Sequence, residues 1–280
     1  MGTGMGKVLL QQGYEVTCYN RTEARSADLV AAGATFGATP AIAAEGAAYV
    51  IIMMWNKEAL DSVVLGDDGL FAHAKKGQVY IDMSTQLPET GSWLANTFAE
   101  KGADFLDAPV HGSKGEANSG GLWIMVGGDR AVYERSLDLL SVLSESTHYM
   151  GGHGKGYATK LCGNHLVSTI VAALCESMVL AKKADLDPKE VLSVWMDSDF
   201  RSPVVDGVGN SIISRDFAVS FHLRTMVKDT ELIRNFSESL SVPVLLSNIV
   251  HEVNKIGQNK GYGEENASAV VKVFEEMAGL

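Results

Sequence analysis

The chain has 280 residues, 46% hydrophobic and 20% charged, and its 23 basic and 34 acidic side chains leave a net charge of −11. This composition excludes a disordered or fibrous chain. Its acidity argues against non-specific binding to nucleic acid or to an anionic membrane, both of which need a basic surface.

Short strand-like runs alternate with amphipathic stretches over the first 150 residues or so. Tyr14 to Tyr19 reads as a strand, Thr22 to Ala32 as a helix stopped by Gly33, and Ala48 to Met54 as an apolar strand covered on both faces. Asp61 to Ala74 has helical character, Gln78 to Met83 is a strand, and Pro88 to Lys101 is a helix ended by Gly102. Phe105 to Val110 and Leu122 to Val126 are strands, and Asp129 to Leu143 is a helix. The alternation predicts an α/β domain, a Rossmann-type doubly wound sheet with helices on both faces. After Met150 the pattern changes. Gly151-Gly152-His153-Gly154-Lys155-Gly156 reads as a hinge, dividing residues 1–153 from an all-helical domain of residues 154–280. That domain opens with a long apolar helix, Tyr157 to Ala184, and continues with Pro188 to Met196, Met226 to Leu240, Pro243 to Ile256 and Asn266 to Met277. Ligand sites favour such domain junctions. Within the long helix, Leu161 to Ala181 comes nearest to a membrane span. Asn164, His165, Ser168 and Glu176 interrupt it, so it reads as a buried helix and no membrane partner is expected.

At the start, Gly2-Thr3-Gly4-Met5-Gly6 reads either as a flexible terminus or as a glycine-rich turn whose backbone approaches a pyrophosphate at a helix N-terminus. The next strand ends in Asn20-Arg21-Thr22, where a dinucleotide fold meets the adenosine ribose. With Asn20 standing where an acid would hold the 2′-hydroxyl, Arg21 can pair with a 2′-phosphate, which favours NADP over NAD. Thr22 also suits a helix N-cap. Lys7 to Gln12 give only about 9 Å of helix. An ordinary crossover between parallel strands is longer. The first strand of the fold is therefore expected to be missing or truncated.

Lys160 and Asn164 share one face of the long helix, with Ser168 a turn further on, among Leu161, Leu166, Val167, Ile170 and Val171. A lysine there must meet an anion, lose its proton or snorkel to water from the helix start. With its pKa lowered by burial it suits proton donation to an alkoxide that develops from a carbonyl. Lys228 and Asp229, taken alone, read as a solvated charged face. The three cysteines, Cys18, Cys162 and Cys175, show no CxxC or Cys/His spacing, and the histidines no HExxH spacing, so neither a disulfide nor a metal is expected.

Four blocks occur in a specific order: Asp82-Met83-Ser84-Thr85, Asp107-Ala108-Pro109-Val110-His111-Gly112-Ser113-Lys114, Gly154 through Lys160 to Asn164, and Lys228-Asp229. With them, nearly the whole chain resembles the β-hydroxyacid dehydrogenase family, which includes 3-hydroxyisobutyrate dehydrogenase and glyoxylate/succinic semialdehyde reductase. The resemblance implies that Ser84 and Thr85 lie by the nicotinamide ribose and that His111, Gly112 and Ser113 hold the substrate carboxylate. It further implies that Lys160 and Asn164 flank the reacting carbon, with Lys228 and Asp229 near the nicotinamide. Gly2, Gly4, Met5, Gly6, Asn20, Arg21 and Thr22 complete the expected cofactor set. So do Met54, Trp55 and Asn56 at the end of the apolar strand, although Asn56 suits a cap equally well. Two positions depart from the family pattern. His111 replaces a serine, and Gly163 stands where a second asparagine is common, at a helix-interior cost of about 0.5–1 kcal/mol.

The resemblance implies an NADPH-dependent reductase of a small carbonyl acid, running in reverse as a 3- or 4-hydroxyacid dehydrogenase. Competing readings are an imine reductase-like enzyme, which the change at His111 invites, and a degenerate dinucleotide-binding protein without activity. A homodimer or homotetramer is expected, in the cytoplasm, with organelle targeting left open by the abrupt N-terminus.

Overall fold

A computed structural model describes residues 1–280, and the chain divides into two compact units, Met1–Lys160 and Leu161–Leu280. The division falls inside a helix rather than in the glycine-rich stretch before it.

In the first unit, α1 (Gly2–Gln11) precedes β1 (Thr17–Cys18), α2 (Ala27–Ala31) and β2 (Thr35–Phe36). Then come α3 (Pro40–Ala44), β3 (Tyr49–Ile52), α4 (Lys57–Leu65), α5 (Leu70–His73), β4 (Val79–Asp82) and α6 (Pro88–Ala99). β5 (Asp104–Asp107), β6 (Val110–His111), α7 (Lys114–Ser119), β7 (Leu122–Gly128), α8 (Arg130–Arg135), α9 (Leu137–Leu143) and β8 (Ser144–Gly151) follow. The strands form two sheets rather than the single one expected. β1 and β2 make a parallel pair, and the other six run β3-β4-β5-β7-β6 with β8 on β7. β3, β4 and β5 are parallel in register, Ile52 beside Asp82 and Asp82 beside Asp107, so their C-terminal ends are level. Pro109 cannot donate to a ladder. It separates β5 from β6, and both then pair antiparallel with successive parts of β7.

Apolar residues fill both faces of this sheet. Val79, Ile81, Leu106, Ile124 and Val126 pack with Met5, Val8 and Leu9 of α1, while Tyr80 and Phe105 pack with Leu94 and Phe98 of α6. β8 escapes the sequence pattern because it is polar and its residues alternate between half-buried and exposed over most of its length. β2, α3 and α7 escape because they are two to six residues long. Two glycines of the glycine-rich stretch are close-packed. A Cβ on Gly154 would stand 2.5 Å from the Pro88 carbonyl oxygen, and one on Gly156 would stand 2.5 Å from those of Asp107 and Met125. These two glycines permit close packing.

α10 (Lys155–Lys183) runs from the first unit into the second, which adds α11 (Pro188–Met196), α12 (Pro203–Ser214), α13 (Leu223–Ser239), α14 (Leu245–Asn259) and α15 (Val271–Met277). Val171, Leu174, Cys175 and Met178 of α10 pack with Leu192, Ile212, Leu223, Val250 and Phe274. By length and composition alone α10 could cross a membrane, yet 44% of its apolar window is buried inside the protein. α12 is absent from the sequence reading because Gly207 and Gly209 weaken its helical pattern. Gly209 is required there, since a Cβ would meet Leu192 at 2.6 Å.

Candidate active site

Two clusters of buried polar side chains are built around α10, one in each unit. In the first, β4 and β5 end in Asp82 and Asp107, both fully buried. Asp107 accepts from the backbone N–H of Gly154 at 2.8 Å through Oδ1 and of Tyr157 at 3.2 Å through Oδ2. The carboxylate thus satisfies amides that a helix start leaves without partners, in a position its dipole favours. Burial pushes the Asp107 carboxyl up to about 6, opposed by these amide bonds. Asp82 accepts from the Tyr157 hydroxyl at 2.5 Å, and from the Ser84 hydroxyl at 2.5 Å and N–H at 2.9 Å. Burial first, then the charge of Asp82, raises the Tyr157 phenol well above its ordinary value. Ser84 Oγ in turn accepts from Met54 N–H at 2.8 Å, tying the end of β3 to the turn after β4.

These anchors fix the first turns of α10 and hence Lys160, which is 8% exposed. Its Nζ lies 3.2 Å from Nδ1 of His111. Burial, then the charge of Lys160, lowers the His111 pKa to about 4. A pKa lowered that far favours the neutral ring near pH 7.

The turn after β6 is shaped by Gly112, whose φ of +115° suits glycine. Ser113 then caps α7 in a capping box. Its N–H and hydroxyl both donate to Glu116, at 2.6 and 2.7 Å. The Ser113 hydroxyl, expected to receive a carboxylate, is engaged in this cap, and the bonds hold the Glu116 carboxyl below its usual range.

The second cluster lies wholly in the helical unit. Asn164, 8% exposed, donates through Nδ2 to Oδ2 of Asp229 at 2.8 Å, and Lys228 Nζ lies 2.8 Å from Oδ1 of the same carboxylate. Asp229 is buried and Lys228 half-buried, so the solvated-face reading of this pair is overturned.

The expected nucleotide turn is corrected most. Gly2, Gly4, Met5 and Gly6 lie within α1, not in a turn. Gly4 and Gly6 are packing positions, where a Cβ would meet Asn118 Oδ1 at 2.6 Å and Leu29 Cδ2 at 2.7 Å. Gly2 alone has open space around it, at a helix start that no side chain caps. Asn20 accepts from Thr22 N–H at 3.0 Å, forming an Asx turn that leaves Arg21 exposed. Thr22 precedes a short 3₁₀ turn but makes no side-chain cap. Asn56 is the N-cap of α4, accepting from Ala59 N–H at 3.0 Å. Trp55 beside it is 51% exposed, while Met54 and Thr85 are partly buried.

Sequence reasoning passed over Asp82, Asp107 and Tyr157 as site residues. A signal existed, since an acid closing an apolar strand run (Tyr80-Ile81-Asp82, Phe105-Leu106-Asp107) must find donors. Nothing local marked Asp229 as a partner of Asn164.

Buried carboxylates at level strand ends and a buried amine on the following helix fit the class of an NAD(P)-dependent oxidoreductase, which the comparisons with known proteins show. The family model described as the NAD binding domain of 6-phosphogluconate dehydrogenase matches residues 1–151. The one described as NAD-binding of NADP-dependent 3-hydroxyisobutyrate dehydrogenase matches residues 154–274. The chain belongs to the β-hydroxyacid dehydrogenase family. It is 32% identical over 281 residues to 2-(hydroxymethyl)glutarate dehydrogenase of Eubacterium barkeri, covering 100% of this chain and 93% of that one. It is 31% identical over 275 residues to glyoxylate/succinic semialdehyde reductase 1 of Arabidopsis thaliana, covering 98% and 95%. The solved structure of Psf3 in complex with NADP+ and 2-OPP is similar at a TM-score of 0.90 and 25% identity, covering 98% of this chain and 96% of that one.

Proposed function

We propose that this hydroxyacid oxidoreductase is an NADPH-dependent reductase of a small carbonyl acid of the glyoxylate or succinic semialdehyde kind. The observation that carries this reading is Lys160, a nearly buried amine held by a neutral imidazole on a helix whose start is anchored by Asp107. The chain's own groups fit a nicotinamide dinucleotide. The uncapped start of α1 with open space at Gly2 suits a phosphate, and Arg21 stands exposed with no carboxylate at position 20 to compete for a 2′-phosphate. Gly2, Asn20, Arg21, Thr22, Met54, Trp55, Asn56, Ser84 and Thr85 would hold the dinucleotide, which supplies the hydride when bound.

In this reading Lys160 gives a proton to the carbonyl oxygen as charge develops on it. Asn164, its amide oriented by Asp229, positions that oxygen. The turn at His111 and Gly112 receives the substrate carboxylate. Lys160→Ala is expected to lower kcat by about 10²–10⁴-fold, with NADPH still bound in fluorescence titration; retained turnover removes Lys160 from this role. Arg21→Ala is expected to weaken NADPH about tenfold or more while leaving NADH nearly unchanged, the loss of a charge-assisted bond. Equal losses contradict the phosphate assignment.

The neutrality of His111 favours a second reading, because an uncharged donor in the carboxylate turn also suits a cyclic imine. Parallel assays of ketoacids and cyclic imines separate the two.

A further inference from the structure

We infer that His111 is the positioning residue for Lys160, its ring fixed with the proton on Nε2 so that Nδ1 accepts the lysine ammonium. The inference rests on the reading of Lys160 as proton donor, and it gives His111 a task in addition to its place in the carboxylate turn.

The backbone at His111 is held on both sides. β6 pairs with β7, His111 opposite Trp123 and Val110 opposite Ile124. On the other side the Gly112 turn leads into the capping box of Ser113 and Glu116. Asp107, on the strand just before, holds the first turn of α10 through Gly154 and Tyr157. One strand-and-turn segment therefore fixes both the helix that carries Lys160 and the far end of its side chain.

An ammonium offers three donors and no acceptor. With Nζ and Nδ1 3.2 Å apart, the ring nitrogen must supply the lone pair, which leaves its proton on Nε2. The group at this position matters for a proton donor. A carboxylate would hold the ammonium strongly and make it a weaker acid, and a serine hydroxyl would be shorter. A neutral imidazole restrains a long side chain that otherwise has about 2 kcal/mol of rotamer entropy.

The test begins with the whole protein labelled with ¹⁵N-histidine. Long-range ¹H–¹⁵N correlation at pH 7 should show His111 protonated on Nε2 alone, with nitrogen shifts that move in Lys160→Met. A proton on Nδ1, or shifts unchanged in Lys160→Met, overturns the inference. Kinetics with NADPH and glyoxylate or succinic semialdehyde give a second measure. His111→Leu should lower kcat by about ten- to a hundredfold, as expected for a misplaced catalytic group, with a smaller change in KM. His111→Asn, which keeps an acceptor near the Nδ1 position, should recover most of that loss. Equal kcat losses in the two variants, or a loss confined to KM, also overturn it. The two ideas fail separately. An active Lys160→Ala sinks the proposed function and leaves the tautomer result standing, whereas an inactive one with His111 protonated on Nδ1 sinks only this inference.

Discussion

Asp107 in the α/β unit and Asp229 in the helical unit are both buried aspartates, 0% and 2% exposed, and the two units neutralise them differently. Asp107 is surrounded by backbone. Its oxygens accept from the N–H groups of Gly154 and Tyr157, and glycines at 127 and 156 leave no room for a side chain beside it. Asp82 in the same unit is likewise met by hydroxyls and an amide. Asp229 instead has a cation, Lys228, and a side-chain amide, Asn164. Level strand ends at the start of a helix supply fixed peptide dipoles, so the α/β unit can hold the Asp107 carboxylate on backbone N–H groups. Helices side by side have their amides already paired, so a buried charge there needs a side-chain partner.

Three experiments test that contrast. The largest effect is expected from Lys228→Met, which leaves the Asp229 carboxylate buried with only Asn164. Urea unfolding at pH 7 should show a loss of about 3 kcal/mol, and a loss near zero would mean that the amide alone satisfies Asp229. Next is the pH dependence of Asp107. Folding raises its pKa to about 6 from the ordinary carboxylate value, so the folded protein binds that proton more tightly than the unfolded chain. The contribution of this proton to stability is full below about pH 4 and is lost as pH rises through about 6. The stability of the wild type relative to Asp107→Asn should therefore fall by roughly 2–3 kcal/mol over that interval, and then stay level. A flat difference would show that the amide bonds fully offset burial. The smallest effect is expected from Tyr157→Phe, which removes the hydroxyl donated to Asp82. A loss of about 1.5–2 kcal/mol is expected, and no loss would mean that Ser84 suffices.

Much of the fold was legible. The apolar runs around Ile51, Ile81 and Leu106 marked buried parallel strands, and Gly102 ended its helix with φ +69°. The 29 residues of α10 stood out by apolar length. What was illegible was short or polar: β2, α3, α7 and the half-exposed β8. The candidate site was legible in parts. Lys160, Asn164, Lys228 and Asp229 were singled out by motif, whereas the glycines expected in a turn stand in α1. Gly-x-Gly-x-Gly looks the same whether glycine is needed for a turn or for close approach of a helix to Asn118 and Leu29.

Periodicity and residue chemistry determined the order of elements, the change from mixed to helical architecture after residue 150, and the turn of helix on which Lys160 and Asn164 stand. Those are local properties, set by side chains three or four positions apart. Tertiary structure alone decided that the amine at 160 meets a neutral imidazole 49 residues earlier in the chain, and that Asn164 meets a carboxylate 65 residues later. It also decided that Asp107 anchors the start of the helix between them. Such pairings depend on strand register and helix packing, and a buried polar group carries no local mark of which distant partner will satisfy it.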